Sequence, residues 1–408
     1  MNAIQIFGLV LVGGLTAGEV SRRVFFLPRT TGYVLFGLLS GQSGLNWITP
    51  LNIESAQLLI DLALGLILFE LGYLVPPTHG QDGLHRLLAG IVISLATGVL
   101  LFVLFTFWGF SLSTAGFAAA LSLATSPAIT VATCSDVGAK GERSGLLYTM
   151  VAINGCVAFS AVVLMTPFLT ETEALSNMAR LGSSLASMAA SVAIGCTCAG
   201  LVLLGARRLE RQPEHHHLLI LGSIVLGVGT AISLDISVFL PMLIFGILVR
   251  AIDREQKVIA VRIAGDARIF LVITFVLAGA ALDIGQLNDY WPEALLIALT
   301  RLLGQLLAAL LVGKPLGLSH GERVLLTVGL QPMSSVTLVL LTNMQMLYAG
   351  MEPRLVGSLM ATILLMQLFG PMATQTAIKG FGEATRLAPR QQDARGAEMA
   401  TSPGKPTP

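Results

Sequence analysis

The chain has 408 residues, 54% of them hydrophobic and only 12% charged, with 24 basic against 23 acidic side chains. A soluble domain carries about a quarter charged residues, so a soluble globular class is excluded. A net charge of +1, with no basic cluster interleaved with aromatics, offers nucleic acid nothing to bind.

Apolar windows long enough to cross a ~30 Å hydrocarbon core as helix recur along almost the whole chain. Divided at charged or Pro/Gly-rich punctuation, they predict thirteen spans: 4–21, 30–45, 54–74, 84–108, 112–133, 144–170, 181–206, 217–234, 236–251, 266–282, 291–312, 322–348 and 353–378. The class is an all-α polytopic membrane protein. The first window lacks a basic n-region and a small-residue cleavage site and ends in GEVSRR, the pattern of a retained span rather than a signal peptide. Residues 379–408 are polar and Pro/Gly-rich and read as a disordered tail, too short for a nucleotide-binding regulatory domain.

Charge tests the count independently, because cytoplasmic loops collect Lys and Arg. With the N-terminus outside, 21 of the 24 basic residues fall on the cytoplasmic side, and only Arg180 and Arg354 fall outside. The remaining one, Arg301, lies inside a span. An error of one helix would scatter the later loops across both sides. The expectation is therefore N-out, C-in, in the inner (plasma) membrane.

Cys134, Cys156, Cys196 and Cys198 lie in or beside apolar segments without zinc-site spacing, and read as small packing residues. His215, His216 and His217 fall on the cytoplasmic side, as a polar helix start or a metal or pH sensor. No nucleophile–base set or phosphate-binding loop is present, so neither enzyme chemistry nor a cofactor is expected.

Two spans look wrong for uninterrupted helices. The fifth contains SLATSPAIT, with Thr125, Ser126 and Pro127. The twelfth contains GLQPMSSVT, with Gln331, Pro332, Ser334 and Ser335. Proline removes a donor and clashes with the preceding turn, so each span is either kinked or broken. The two are seven helices apart and cross in opposite directions. Interrupted segments at corresponding places in inverted halves point to a transporter's binding site. The halves are read as 4–170 and 217–378, with 181–206 as connector. At ~1.5 Å per residue, Asn154 and Arg301 each lie ~15 Å deep. Arginine at that depth costs at least ~2.5–3.5 kcal/mol and marks a functional site; pairing with the carbonyls of a broken helix is the structural alternative.

FLPRTTGYVLFGLLSGQSGL, GLILFELG, SLATSPAITVATCSDVGAKG, VLAGAALDI, RLLGQLLAALLVGK and VGLQPMSSVTLVLL stand in this order. Together they resemble the landmarks of the monovalent cation:proton antiporter superfamily, the bacterial sodium/proton and potassium/proton exchangers, over most of residues 1–378. The resemblance implies inverted six-helix repeats, two crossed discontinuous helices in a mobile core, a homodimer and elevator-type exchange of Na⁺ or K⁺ against protons. Carried over, the crossing elements are Thr125–Pro127 and Gln331–Ser335, and the core basic residue is Arg301. One position departs from the pattern. The family's ion-site Asp on the sixth span, preceded here by Asn154, is replaced by Gly155.

Glycine carries neither proton nor charge, so another acid must couple the fluxes if exchange occurs. Glu70, toward the cytoplasmic end of the third span, is the candidate; Glu19 and Asp136 read as interfacial or loop-anchoring acids. Asp61 lies deeper, where the resembled family often carries an acid of no assigned ion role, and Asp235 and Asp283 read as cap-like acids at outer ends. Two alternatives remain open: a transporter of the same fold for an anionic or neutral solute, and a transport-inactive relative with a sensory or assembly role.

Overall fold

The computed structural model describes residues 3–24, 27–77, 80–169, 177–209, 213–253, 266–333, 337–338, 340–341 and 351–385. Among the described residues the regular structure is helical, apart from one isolated β-bridge. The helices are α1 (Ala3–Val24), α2 (Arg29–Ser40), α3 (Pro50–Ser55), α4 (Gln57–Leu74), α5 (Gly80–Phe107), α6 (Leu112–Leu123), α7 (Pro127–Val137) and α8 (Glu142–Leu169). They continue as α9 (Asn177–Arg208), α10 (Pro213–Ser233), α11 (Phe239–Ile252), α12 (Asp266–Ala280), α13 (Ile284–Val312), α14 (His320–Gly329) and α15 (Pro353–Gly380). Eight are long and apolar enough to cross a membrane, and the chain is a multi-pass membrane protein. The large apolar side chains left exposed on α5 and α13, such as Val99, Val103, Leu299 and Leu303, then face lipid rather than water.

Each expected span meets a helix, but three are built from pieces. The third begins with the single turn α3 before α4. The fifth is α6 followed by α7, and the twelfth is α14, a non-helical stretch at Gln331–Met333, and helical residues again at 337–338 and 340–341. The predicted tail boundary needs correction: α15 runs on to Gly380, and chain order continues to Thr385. There the Glu383 carboxylate accepts hydrogen bonds from the Ser144 backbone and hydroxyl, both at 2.6 Å, and from the Arg143 N–H at 2.8 Å. It satisfies donors at the start of α8, which no helical carbonyl can reach. The remainder of the tail, 386–408, lies outside the described residues.

Ion pairs agree with the threading. Arg29–Asp136, Arg86–Glu142 and Arg143–Glu322 join groups on the side where the basic residues collect, and Arg354–Glu293 joins two on the other.

Two helix pairs are unusually close, and glycine makes them so. Gly37 of α2 lies against the Val276 carbonyl of α12, and Gly279 of α12 against the Val34 carbonyl of α2. The same reciprocal contact joins α4 to α11, where Gly72 lies against the Leu243 carbonyl and Gly246 against the Phe69 carbonyl. Lipid is as apolar as any side chain, so helices in a bilayer associate through such small-residue contact rather than through hydrophobic burial. A Cβ at Gly246 would strike backbone that cannot turn aside. Gly246→Ala is expected to cost about 1–3 kcal/mol and lower the melting temperature of the purified protein. Gly229→Ala, where a Cβ meets nothing within 4 Å, should leave it unchanged.

Candidate functional site at the helix crossing

The proline of the fifth span starts a helix instead of kinking one. Ala124 leaves α6, Ser126 is extended, and the Ser126 hydroxyl caps α7 by accepting from the Ile129 N–H at 3.2 Å. Pro127 then occupies the first helical position, where its missing donor costs nothing. The twelfth span is interrupted similarly after Gly329: Gln331–Met333 run on without helix, and helix is present again at 337–338 and 340–341.

The two breaks meet. Thr125 and Met333 form an antiparallel bridge, and the Ser126 N–H donates to the Pro332 carbonyl at 2.8 Å. The Thr125 hydroxyl donates to the Leu330 carbonyl at 3.1 Å. Freed backbone groups at membrane depth must be satisfied inside the protein, and here each break satisfies part of the other. Ser334 and Ser335 lie outside the described residues.

Asn154 completes the junction from α8. Its Oδ1 accepts the Thr125 N–H at 2.9 Å and its Nδ2 donates to Ser94 of α5 at 3.3 Å. The adjacent Gly155 faces Phe239, the first residue of α11. A Cβ at Gly155 would fall 2.5 Å from the ring's Cζ. Phe239 also stacks on Phe159, one turn along α8, with centroids 4.4 Å apart. An aromatic ring thus closes over the position where the resemblance expects a carboxylate.

Arg301 is on α13, fully buried, and none of its nitrogens has a hydrogen-bond partner among the described residues. It does not share the hydrogen bonds that join Asn154 to the crossing. The link from α13 to the second break is made one turn later, where Gln331 donates to Gln305 at 2.7 Å. Gln331 also donates to the Thr327 carbonyl at 3.2 Å.

Apart from Asp61, the candidate carboxylates stand away from the junction. Glu70, toward the far end of α4, is half-buried, with Oε2 unpartnered among the described residues and the Tyr148 phenol of α8 within electrostatic reach. Asp136 ends in an ion pair with Arg29 at 3.0 Å, and Arg29 also meets Glu19 at 3.1 Å. Asp235 lies in the loop before α11, and Asp283 caps α13. Among the described residues no group of three His, Cys, Asp or Glu side chains is placed to hold a metal ion.

Two cavities open along α7. One, of ≈ 100 Å³, reaches Pro127 and Ala128 at its first turn and contains Asp61, Gln57 and Thr274. The other, of ≈ 380 Å³, reaches Ala132, Ser135 and Asp136 at its last turns and contains Glu19, Arg29 and Thr30. The crossing therefore lies beside a helix that is approached from both ends. Oxygen atoms dominate what it offers: hydroxyls, the Asn154 amide and interrupted backbone, ligands suited to hard cations.

Sequence reasoning found both breaks, Asn154 and Gly155. It missed Ser94, Gln305 and Phe239, because a serine, a glutamine and a phenylalanine in apolar helices carry no signal of what they face.

A family model described as "Sodium/hydrogen exchanger, transmembrane" matches residues 7–379. A structure of the sodium proton antiporter MjNhaP1 from Methanocaldococcus jannaschii at pH 8 is similar, with TM-score 0.74 and 17% identity, covering 94% of this chain and 99% of that one. An electron-microscopy structure of the same antiporter gives TM-score 0.70 and 17% identity, covering 99% of each chain. At this identity the likeness shows the fold. No curated protein sequence matches the chain.

Gly155 and Phe239 should behave as one unit. Gly155→Asp alone is expected to destabilise the protein, because the ring blocks the new side chain. In a double-mutant cycle read by thermal unfolding, Phe239→Ala should cost less in the Gly155→Asp background than alone, with a coupling of about 1 kcal/mol or more.

Proposed function

The chain belongs to the sodium/hydrogen exchanger family, and from that premise we propose that it exchanges a monovalent cation, Na⁺ or K⁺, for protons. The observation that carries this reading is the crossing of two broken helices, held by Asn154, beside cavities at both ends of α7. In the proposal α1–α8 and α10–α15 are the inverted halves, with α9 as connector. The core is α5–α8 with α13–α15, and the glycine-seamed pairs α2–α12 and α4–α11 belong to the scaffold. The core moves against the scaffold as an elevator, and the scaffold provides the homodimer contact. The protein lies in the plasma membrane with its N-terminus outside and its C-terminus cytoplasmic.

Thr125, Ser126, Pro127, Gln331, Pro332, Ser334 and Ser335 are the proposed crossing elements, with Asn154 as their clamp. Gly155 marks the position without a carboxylate, so the proton is carried by an acid outside α8. Glu70 keeps its candidacy as a half-buried acid near Tyr148 of that helix. Arg301 supplies a fixed positive charge to the core, and this same feature favours a second reading. A core with a buried guanidinium and no carboxylate at Gly155 suits an anionic solute, which would stabilise the purified protein thermally where Na⁺, Li⁺ and K⁺ do not.

Exchange is tested with purified protein in vesicles holding a pH-sensitive dye across a preset proton gradient. Addition of Na⁺ or K⁺ is expected to collapse the gradient; no response to any alkali cation from mildly acid to mildly alkaline pH sinks the reading. Asn154→Leu leaves the Thr125 N–H unsatisfied, a cost of about 1–3 kcal/mol. It should abolish exchange while the protein still inserts.

A further inference from the structure

The cavity at the first turn of α7 has features that its role as an access route does not require. Asp61 stands one turn into α4 and is the sole ionisable side chain lining the cavity among the described residues. Gln57 donates its amide N–H to Asp61 Oδ1 at 3.0 Å, and its amide oxygen is a second hard donor beside the carboxylate. The cavity is also lined by Thr274 of α12. Thr274 is 5% exposed, and its hydroxyl has no hydrogen-bond partner among the described residues. A buried hydroxyl left without a partner costs free energy, and a ligand in the cavity would remove that cost.

The rest of the wall is apolar and includes Pro127 and Ala128 at the crossing. Other charges stand off it: Glu54 is exposed on α3, Glu70 lies more than two turns further along α4, and Asp136 is at the opposite end of α7. One water needs about 10–15 Å³ of such space, so a cavity of ≈ 100 Å³ has room for an alkali cation with part of its hydration water.

We propose that this cavity is a loading site in which Asp61 holds either a proton or a monovalent cation beside the helix crossing. The inference rests on the exchange reading and deepens it, by placing an acid where α8 provides none. As a cation enters, the Asp61 O–H bond breaks, the proton passes to cavity water, and the carboxylate retains the cation together with the Gln57 and Thr274 oxygens. The reverse step returns the proton and releases the cation toward Pro127.

A protonated carboxyl in an apolar cavity reacts with dicyclohexylcarbodiimide, and the adduct on the Asp61 peptide can be followed by mass spectrometry in the intact wild-type protein. Saturating Na⁺ or K⁺ should slow Asp61 labelling severalfold relative to choline at equal ionic strength, and Thr274→Val should weaken that protection. No labelling of Asp61 from acid to alkaline pH, or labelling indifferent to Li⁺, Na⁺ and K⁺, overturns the proposal. In vesicles, Asp61→Asn should abolish exchange or raise the cation KM by about tenfold or more, a binding loss of ~1.4 kcal/mol. Unprotected Asp61 with exchange intact would remove the loading site and leave the exchanger reading standing. Protected Asp61 without exchange in the wild type would do the opposite.

Discussion

A hydrocarbon interior contains no water to complete a broken hydrogen-bond ladder, and the arrangement at Thr125 follows from that constraint. Two spans are interrupted, and each interruption frees backbone groups that must find partners inside the protein. The breaks find them in each other, through the Thr125–Met333 bridge and the Ser126–Pro332 bond, and in the side chain of Asn154. An isolated broken helix would be expensive at this depth; a pair is self-satisfying. α5 and α8 are tied to the pair through Ser94 and Asn154, and α13 through Gln305. One requirement of the solvent thus organises half the molecule.

The other half is organised by closeness. Reciprocal glycine contacts bring α2 to α12 and α4 to α11 with backbone against backbone, and such packing is stiff because there is no side chain to rearrange. Phe239 reaches from α11 into the space above Gly155. Glycine there does two things at once: it withholds a carboxylate, and it makes room for a ring. Restoring the acid is therefore a matter of volume as well as charge.

Charge follows the same division. Arg22, Arg23, Arg29, Arg86 and Arg143 are paired near one face, where Arg29 bridges Glu19 and Asp136 and so joins α1, α2 and α7. Arg301 alone is fully buried and without a partner among the described residues. A guanidinium in that position biases what can approach the core. An entering cation needs a compensating negative charge nearby, and the carboxylate that faces the crossing through a cavity is on α4, not α8.

Hydropathy and loop charge are local properties that survive without a fold, and they suffice for the membrane class, the order of the spans and their expected sidedness. Local chemistry also marks where two spans break, because proline cannot donate and serine caps the helix that begins beside it. The start of the tail is misread at Glu383, whose polarity looks like disorder until the α8 donors it caps are seen. What the breaks do for each other emerges only in three dimensions: Thr125 and Leu330 are 205 residues apart in the chain. The same holds for the ring that fills the space at Gly155 and for the cavity joining Asp61 to Pro127. Each depends on which helix faces come together, and in a nearly uniform apolar sequence small residues permit many such pairings while the satisfied backbone selects one.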